Sequence, residues 1–434
     1  MLLRAMVGPM VLFTPHMFLE AGVLFAMLSF LLVGALSMLG MLRLVEVVEP
    51  TRQEELACAD ANADRAGAPS AAGGAFALIG YRAAGLVGYV WVEVCVVVSQ
   101  WLLCVGYPIF VARNLHSLLE ALMPSPPPPL TLTLAQLPLL VPYCWVRDLS
   151  YLGYPMLAAN VCLWSSLVVV LGLVGADLLD SGVGGGAGSL RTEWPTLSAS
   201  AAHGGIGGGN AGGPQPIEWI FNFGTGTLLF TAQAVLAFEG IALVLPIRAS
   251  MREPDKFARV VVCCMAISTV AYTLTGFCGY LAYGDDTQTF VTMNIAGPLA
   301  NAARAAFVLS VLLTYPLQLW PALQALEDRL GLAAPLPSGA GGSAAWARLC
   351  WQCLARTCLV CGAFAFSLTA PYANLVGLAG GLCAVPLAFI FPGWFHLALC
   401  PAQSVTSKAL DWLMIAFGLV MAPVAVIAAL VSWR

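Results

Sequence analysis

Ionisable side chains are scarce in this sequence: 18 Lys and Arg, 22 Asp and Glu and 4 His among 434 residues, a charged fraction of 9%. A net charge of −4 spread over so few groups offers no basic surface for nucleic acid or for anionic lipid. Enzyme signatures are missing as well. His16, His116, His203 and His396 are scattered and make no HExxH pattern, HSLLE at His116–Glu120 has the wrong spacing, and 43 glycines yield no Walker or dinucleotide-binding motif. No secretory cleavage signal is expected either: MLLRAMVGPMVLF contains Pro9, Pro15 follows closely, and no clear small-residue cleavage site is present. Fourteen cysteines do occur, nearly all inside apolar runs, where Cys acts as a small hydrophobe rather than as half of a disulfide. In CWQCLARTCLVC, Cys350, Cys353, Cys358 and Cys361 form two CxxC pairs, but on one helix the outer thiols stand roughly 16 Å apart. One zinc, with Zn–S bonds of about 2.3 Å, cannot take all four. The expectation is apolar packing, with no metal and no cofactor.

What the sequence has is hydrophobicity: 60% of its residues, with a mean hydropathy of +0.87. A span needs roughly 20 apolar residues to cross a hydrocarbon core about 30 Å thick, and such runs repeat from end to end. They are longer and more continuous than barrel strands, so the fold class is an all-α polytopic membrane protein whose first partner is the lipid bilayer. Helices are expected near residues 4–17, 22–48, 84–113, 132–146, 149–175, 222–248, 257–283, 299–329, 346–368, 372–398 and 409–432, eleven spans in all. They form a single transmembrane domain over 1–434: five helices within 1–175, a flexible Gly-rich loop at 181–214, five helices within 222–398, and one more at 409–432. Residues 56–75 and 333–345 read as flexible connections, Pro126–Pro129 as a stiff one, and Arg147-Asp148 and Glu327-Asp328-Arg329 as solvated helix ends. With the amino terminus cytoplasmic, fourteen of the 18 basic residues fall on the cytoplasmic side. By the positive-inside rule this places the Gly-rich loop and the carboxy terminus on the other side.

The first helix of each five-helix half contains a break. In one it is VGPM, Val7 to Met10, followed by Thr14-Pro15; in the other it is FEG, Phe238 to Gly240. Gly and Pro weaken a helix interior through backbone freedom and a missing donor. Matched interruptions in two halves point to an inverted-repeat transporter with its site at mid-membrane. Helix amino termini there suit a carboxylate and exposed carbonyls suit an ammonium, which together fit a zwitterionic amino acid. The plainer alternative is that Gly8-Pro9 marks only a kink. Glu239 stands about ten residues from either flank of its span, and an intramembrane carboxylate is costly enough to suggest a proton relay, a cation site or a ligand contact. A structural Glu bracing the unwound backbone is the other reading.

The segment FTAQAVLAFEGIALVLPIRASMREPDKFARV, Phe230 to Val260, resembles the amino acid/auxin permease family, whose sixth helix carries a Phe-Glu-Gly break before a Pro and a Met-x-x-Pro-x-x-Phe loop. The likeness continues in GFCGYLAYGDDTQTFVTMNI (Gly276–Ile295), LLTYPLQLWPALQALE (Leu312–Glu327), Arg356 and FIFPGWFHL (Phe389–Leu397), and looks nearest the proton-coupled amino acid transporter branch. In the first helix Gly8-Pro9-Met10 replaces the family's Gly-x-Gly and Thr14-Pro15 its Leu-Pro. The chain begins almost on that break, so a truncated first helix is expected. The resemblance implies a LeuT-like fold of 5+5 inverted repeats plus one, and secondary active amino acid transport by alternating access. In that scheme Gly8, Pro9, Met10, Phe238, Glu239 and Gly240 line the substrate site, and Glu239 serves in proton coupling. The transported proton is the expected coupling ion, in a plasma membrane or a vacuolar or lysosomal one. The alternatives are a non-transporting sensor or degenerate paralogue, and a sodium-coupled carrier for which Thr314 is the only hint.

Overall fold

A bilayer interior supplies no water to the main chain, so each apolar run closes its hydrogen bonds within a helix. The computed structural model describes residues 2–59, 75–147, 149–183, 225–249, 251, 253–332, 342–369, 372–400 and 403–431. The Gly-rich stretch beyond residue 183, His203 and Asp148 lie outside the described residues. The chain opens with α1 (Leu2–Met6) and α2 (Met10–Ala21). Gly22, at φ 84°, turns it at once into α3 (Val23–Ala59). Next come α4 (Ala75–Glu120), α5 (Pro129–Leu134), α6 (Leu137–Cys144) and α7 (Gly153–Val183). Then follow α8 (Thr225–Ala237), α9 (Ile241–Ala249), α10 (Phe257–Tyr283), α11 (Pro298–Arg329) and α12 (Gly342–Ser367). The chain ends with α13 (Tyr372–Ala379), α14 (Phe391–Leu399) and α15 (Val405–Val431).

Among the described residues ten helical spans are long and apolar enough to cross a membrane. The expected eleventh, near 132–146, is a shorter pair of helices. Pro138, at the start of α6, has no N–H to continue the ladder from α5, so Ala135 and Gln136 turn between them. At 1.5 Å per residue, Pro129 to Cys144 reaches about 24 Å, less than the hydrocarbon core. The expected start of the third span at residue 84 is a kink, with Ala84 at φ −146° and Gly85 at φ 63°, inside a longer helix. Between α13 and α14 the backbone winds as two π-helical stretches, Gly380–Ala384 and Pro386–Ile390.

Burial orders these spans. In Phe230–Ala249, which contains most of α8 and all of α9, 89% of the most apolar stretch is buried, and in Leu2–Ala21 and Pro298–Arg329 78%; in Ala345–Ser367 and in α15 the figure is 28%. The two broken spans and α11 therefore form the centre, while α12 and α15 face lipid. The four cysteines of the CxxC pairs share α12, but Cys350, Cys358 and Cys361 are exposed rather than packed inside.

Two ionic clusters tie the helices together. Arg356 of α12, 2% exposed, donates to Glu327 Oε1 at 2.6 Å and to the carbonyls of Cys144 at 2.9 Å and Val146 at 2.5 Å, with its guanidinium 5.7 Å from the Trp320 ring centre. This corrects the solvated reading of Glu327, which is buried at the end of α11; its neighbour Arg329 is exposed and pairs with Glu93. Arg147 is exposed and donates to Gln352. In the second cluster Arg43 of α3 bonds Asp411 Oδ1 at 3.0 Å, Glu46 at 2.8 Å and Ser407 at 2.8 Å, while the His396 ring lies between Asp411 Oδ2 at 2.6 Å and Glu46 at 3.1 Å. Losing one partner of a buried ion pair strands the other charge. Arg356→Ala is therefore expected to destabilise the fold by about 3–5 kcal/mol, read as a lower melting temperature of the solubilised protein.

Candidate functional site

Both sequence-predicted breaks exist. The first span stops at Met6 and restarts at Met10, leaving Val7, Gly8 and Pro9 out of helix; the second stops at Ala237 and restarts at Ile241, leaving Phe238, Glu239 and Gly240 out. A helix end exposes carbonyls or N–H groups that have no partner along the helix. Around Phe238 short bonds hold the turn, from Phe238 N to Val235 O at 3.2 Å and from Glu239 N to Leu236 O at 3.0 Å. At the first break the freed carbonyls find side chains: Met6 O accepts from the Tyr272 hydroxyl at 2.8 Å, and Val7 O from Arg4 at 2.5 Å.

The two breaks touch. A Cβ on Gly240 would meet Met6 Cγ at 3.2 Å, so the second break packs directly against the end of α1. Gly8 is half-buried beside the Tyr107 hydroxyl, whereas Pro9 and Met10 are buried. Phe238 is 1% exposed and turns into an aromatic cluster, its ring 5.9 Å from Phe30 and 5.4 Å from Tyr272. Of the six expected site residues, then, Gly8 and Gly240 lie near the junction with their carbonyls accepting from Val11 N and Leu243 N, and the Phe238 side chain is part of the packing that supports it.

Glu239, 3% exposed, is held by one oxygen only. Gln100 Nε2 donates to its Oε1 at 3.0 Å, and Gln318 Nε2 donates in turn to Gln100 Oε1 at 2.7 Å; Glu239 Oε2 is buried and unpaired. The relay joins the second break to α4 and α11, and leaves one acceptor free at the junction.

Arg4, counted from the sequence among the basic residues at cytoplasmic helix ends, is instead buried at the first break. Only 1% exposed, it bonds Thr314 Oγ1 at 2.6 Å and Ser310 O at 3.1 Å as well as Val7 O, and forms no ion pair with Glu239. A guanidinium thus sits among three oxygens from the first break and α11. Thr314 Oγ1 donates onward to Ser310 O at 2.6 Å. Gln100 and Gln318, likewise unforeseen, carried the same signal as Glu239, a polar side chain deep in an apolar run. Tyr272 carried none, because tyrosine is ordinary in a membrane helix. Removing its donor should leave Met6 O unpaired: Tyr272→Phe is expected to cost about 1–3 kcal/mol, measurable as a lower thermal unfolding midpoint.

The sequence pattern of the family described as "Transmembrane amino acid transporter protein" matches residues 1–431. Similar chains include "Amino acid transporter ANT1" of Arabidopsis thaliana, 26% identical over 96% of this chain and 88% of that protein. "Amino acid transporter AVT3B" of the same plant is 25% identical over the same shares. "Vacuolar amino acid transporter 4" of Saccharomyces cerevisiae is 26% identical over 71% of this chain; the match spans 42% of the yeast protein's length.

Proposed function

Because this chain belongs to the transmembrane amino acid transporter family, as its resemblance to amino acid/auxin permeases anticipated, we propose that it is a secondary active amino acid transporter driven by protons. The observation that carries the reading is Glu239 at the contact of the two breaks, buried, with one carboxyl oxygen unpaired. A group meant to gain and lose a proton during a cycle needs such an oxygen, and a purely structural brace would have both oxygens bonded. The substrate sits at the junction, its carboxylate toward the main chain of Gly8, Pro9 and Met10 at the start of α2 and its ammonium toward the opposite wall, Phe238 to Gly240. Alternating access follows from rocking of the broken helices against α4, α7 and α11 in a LeuT-like arrangement of five plus five helices and one more.

The state of Thr314 favours protons over sodium. Its hydroxyl accepts from Arg4 and donates to Ser310 O, so the sequence's one hint of a sodium ligand is already engaged by a fixed cation. The basic residues favour a cytoplasmic amino terminus. The yeast relative's name suggests a vacuolar membrane for that protein, and for this chain a vacuole or the plasma membrane suits the reading.

Uptake into proteoliposomes tests it. An imposed inward pH gradient should drive accumulation of a neutral amino acid, a sodium gradient should not substitute, and Glu239→Gln should abolish the stimulation. Absence of gradient-driven uptake for every neutral amino acid tried would refute proton-coupled transport. Unaltered coupling in Glu239→Gln would assign Glu239 to bracing.

A further inference from the structure

A second group of under-bonded polar side chains lies between α2 and α8, away from Glu239. Gln233 of α8 is 0% exposed, yet neither its amide nitrogen nor its amide oxygen has a hydrogen-bond partner. A buried amide left wholly unpaired is costly and asks for an explanation. The Glu20 carboxyl of α2, the helix packed on α8, lies beside the Gln233 amide but forms no well-aligned hydrogen bond with it, and its Oε2 is also buried and unpaired. Glu20 Oε1 is 3.7 Å from His16 Nε2, too far for a hydrogen bond, and His16 Nδ1 is unpaired too. The side chains of His16 and Glu20 are 26% and 18% exposed, so the group is reachable from the end of the bundle that carries the Gly22 turn.

The chemistry of these atoms selects their ligand. A carboxylate and an amide can share one hydrogen bond, and the amide oxygen is then left facing an anion. A carboxylic acid and an amide can share two: the acid O–H donates to Gln233 Oε1, and Gln233 Nε2 donates to the acid's carbonyl oxygen. One proton therefore satisfies all three unpaired atoms of Glu20 and Gln233. Glu20 is also the penultimate residue of α2, where the helix presents partial negative charge, a setting that attracts a proton or a cation. Among the described residues the surroundings contribute little other charge. On its own helix the titratable neighbour is His16; α3 presents Phe30, stacked on Phe18; α10 presents Gly276 against Phe18 and Gly279 against Pro15. In the loop after α10, Asp285 and Asp286 are exposed.

We propose that Glu20, paired with Gln233 and flanked by His16, is a second proton-binding site, and that its protonation clasps α2 to α8, the two half-helices leading from the breaks toward the Gly22 end. The clasp rests on the proton-coupled reading for its role in transport: a proton entering from that side binds at Glu20 and draws the outer halves of both broken helices together before Glu239 is reached.

Infrared pH-difference spectroscopy of the protein in lipid vesicles, stepped between about pH 5 and 8, tests the site without reference to transport. Wild type should show a protonated-carboxyl band that Glu20→Gln removes and that Gln233→Leu shifts in frequency, because the acid loses its amide partner. Glu20→Gln offers Gln233 the same donor and acceptor as the protonated acid, so the fold is expected to be retained. In uptake assays the same variant should move the pH of half-maximal transport by about one unit, a tenfold change in proton concentration, while leaving saturation by amino acid unchanged. A carboxyl spectrum identical in wild type and Glu20→Gln overturns the site, as does Glu20-dependent binding of sodium in its place. If wild type shows no proton-driven uptake while the Glu20 band is present, the coupling reading fails and the proton site stands.

Discussion

A helix that stops inside a bilayer must hand its loose backbone groups to something other than water. Two helices stop here, at Met6 and at Ala237, and the rest of the centre is arranged around that need. Tyr272 and Arg4 take the carbonyls of Met6 and Val7. Arg4, buried to do so, requires oxygens of its own, and α11 supplies them from Thr314 and Ser310. The second break presses Gly240 on Met6 and reaches through Glu239 to Gln100 and Gln318. The positions of α4, α10 and α11 are in this sense consequences of two missing helical turns.

The polar groups fall into two kinds, and the difference bears on motion. The ionic clusters at Arg356 and Arg43 are densely bonded: Arg43 meets Asp411, Glu46 and Ser407, and Arg356 meets one carboxylate and two carbonyls. Such networks hold one arrangement because leaving it strands charge. Near the broken helices the bonding is incomplete, with free atoms on Glu239, Gln233 and Glu20. Groups with unused capacity lose less on rearranging, and the transport proposed above asks for that economy at the centre.

The long apolar runs were legible in the sequence, and so were both breaks, because Gly8-Pro9 and Phe238–Gly240 interrupt hydropathy where they interrupt structure. The family was legible for the same reason, as its matching residues cluster at the second break. The short helices at Pro129–Cys144 were not. Their composition is as apolar as a span's, and the break between them falls just before Pro138. Nor was the burial of Glu327: a charge at a helix end looks solvated until the partner is known, and Arg356 lies 29 residues away. Arg4 was hardest to read. Helices apolar on every side carry no periodicity to reveal which way a residue faces, so its match with Thr314, 310 residues distant, appears only in three dimensions.

Gly22 joins α2 to α3 with no residue to spare, its N–H bonding Phe18 O while its own carbonyl receives Ala26 N–H. The two helices differ in what they bring to the lipid: the Leu2–Ala21 span has a hydropathy of 1.4 against 2.3 for Val23–Val48, since Arg4, His16 and Glu20 all lie on the first. A link one residue long obliges them to enter the membrane as a single hairpin. During biosynthesis the greasy second arm thus carries in the polar first one, since its own charges, Arg43 and Glu46, lie near its far end.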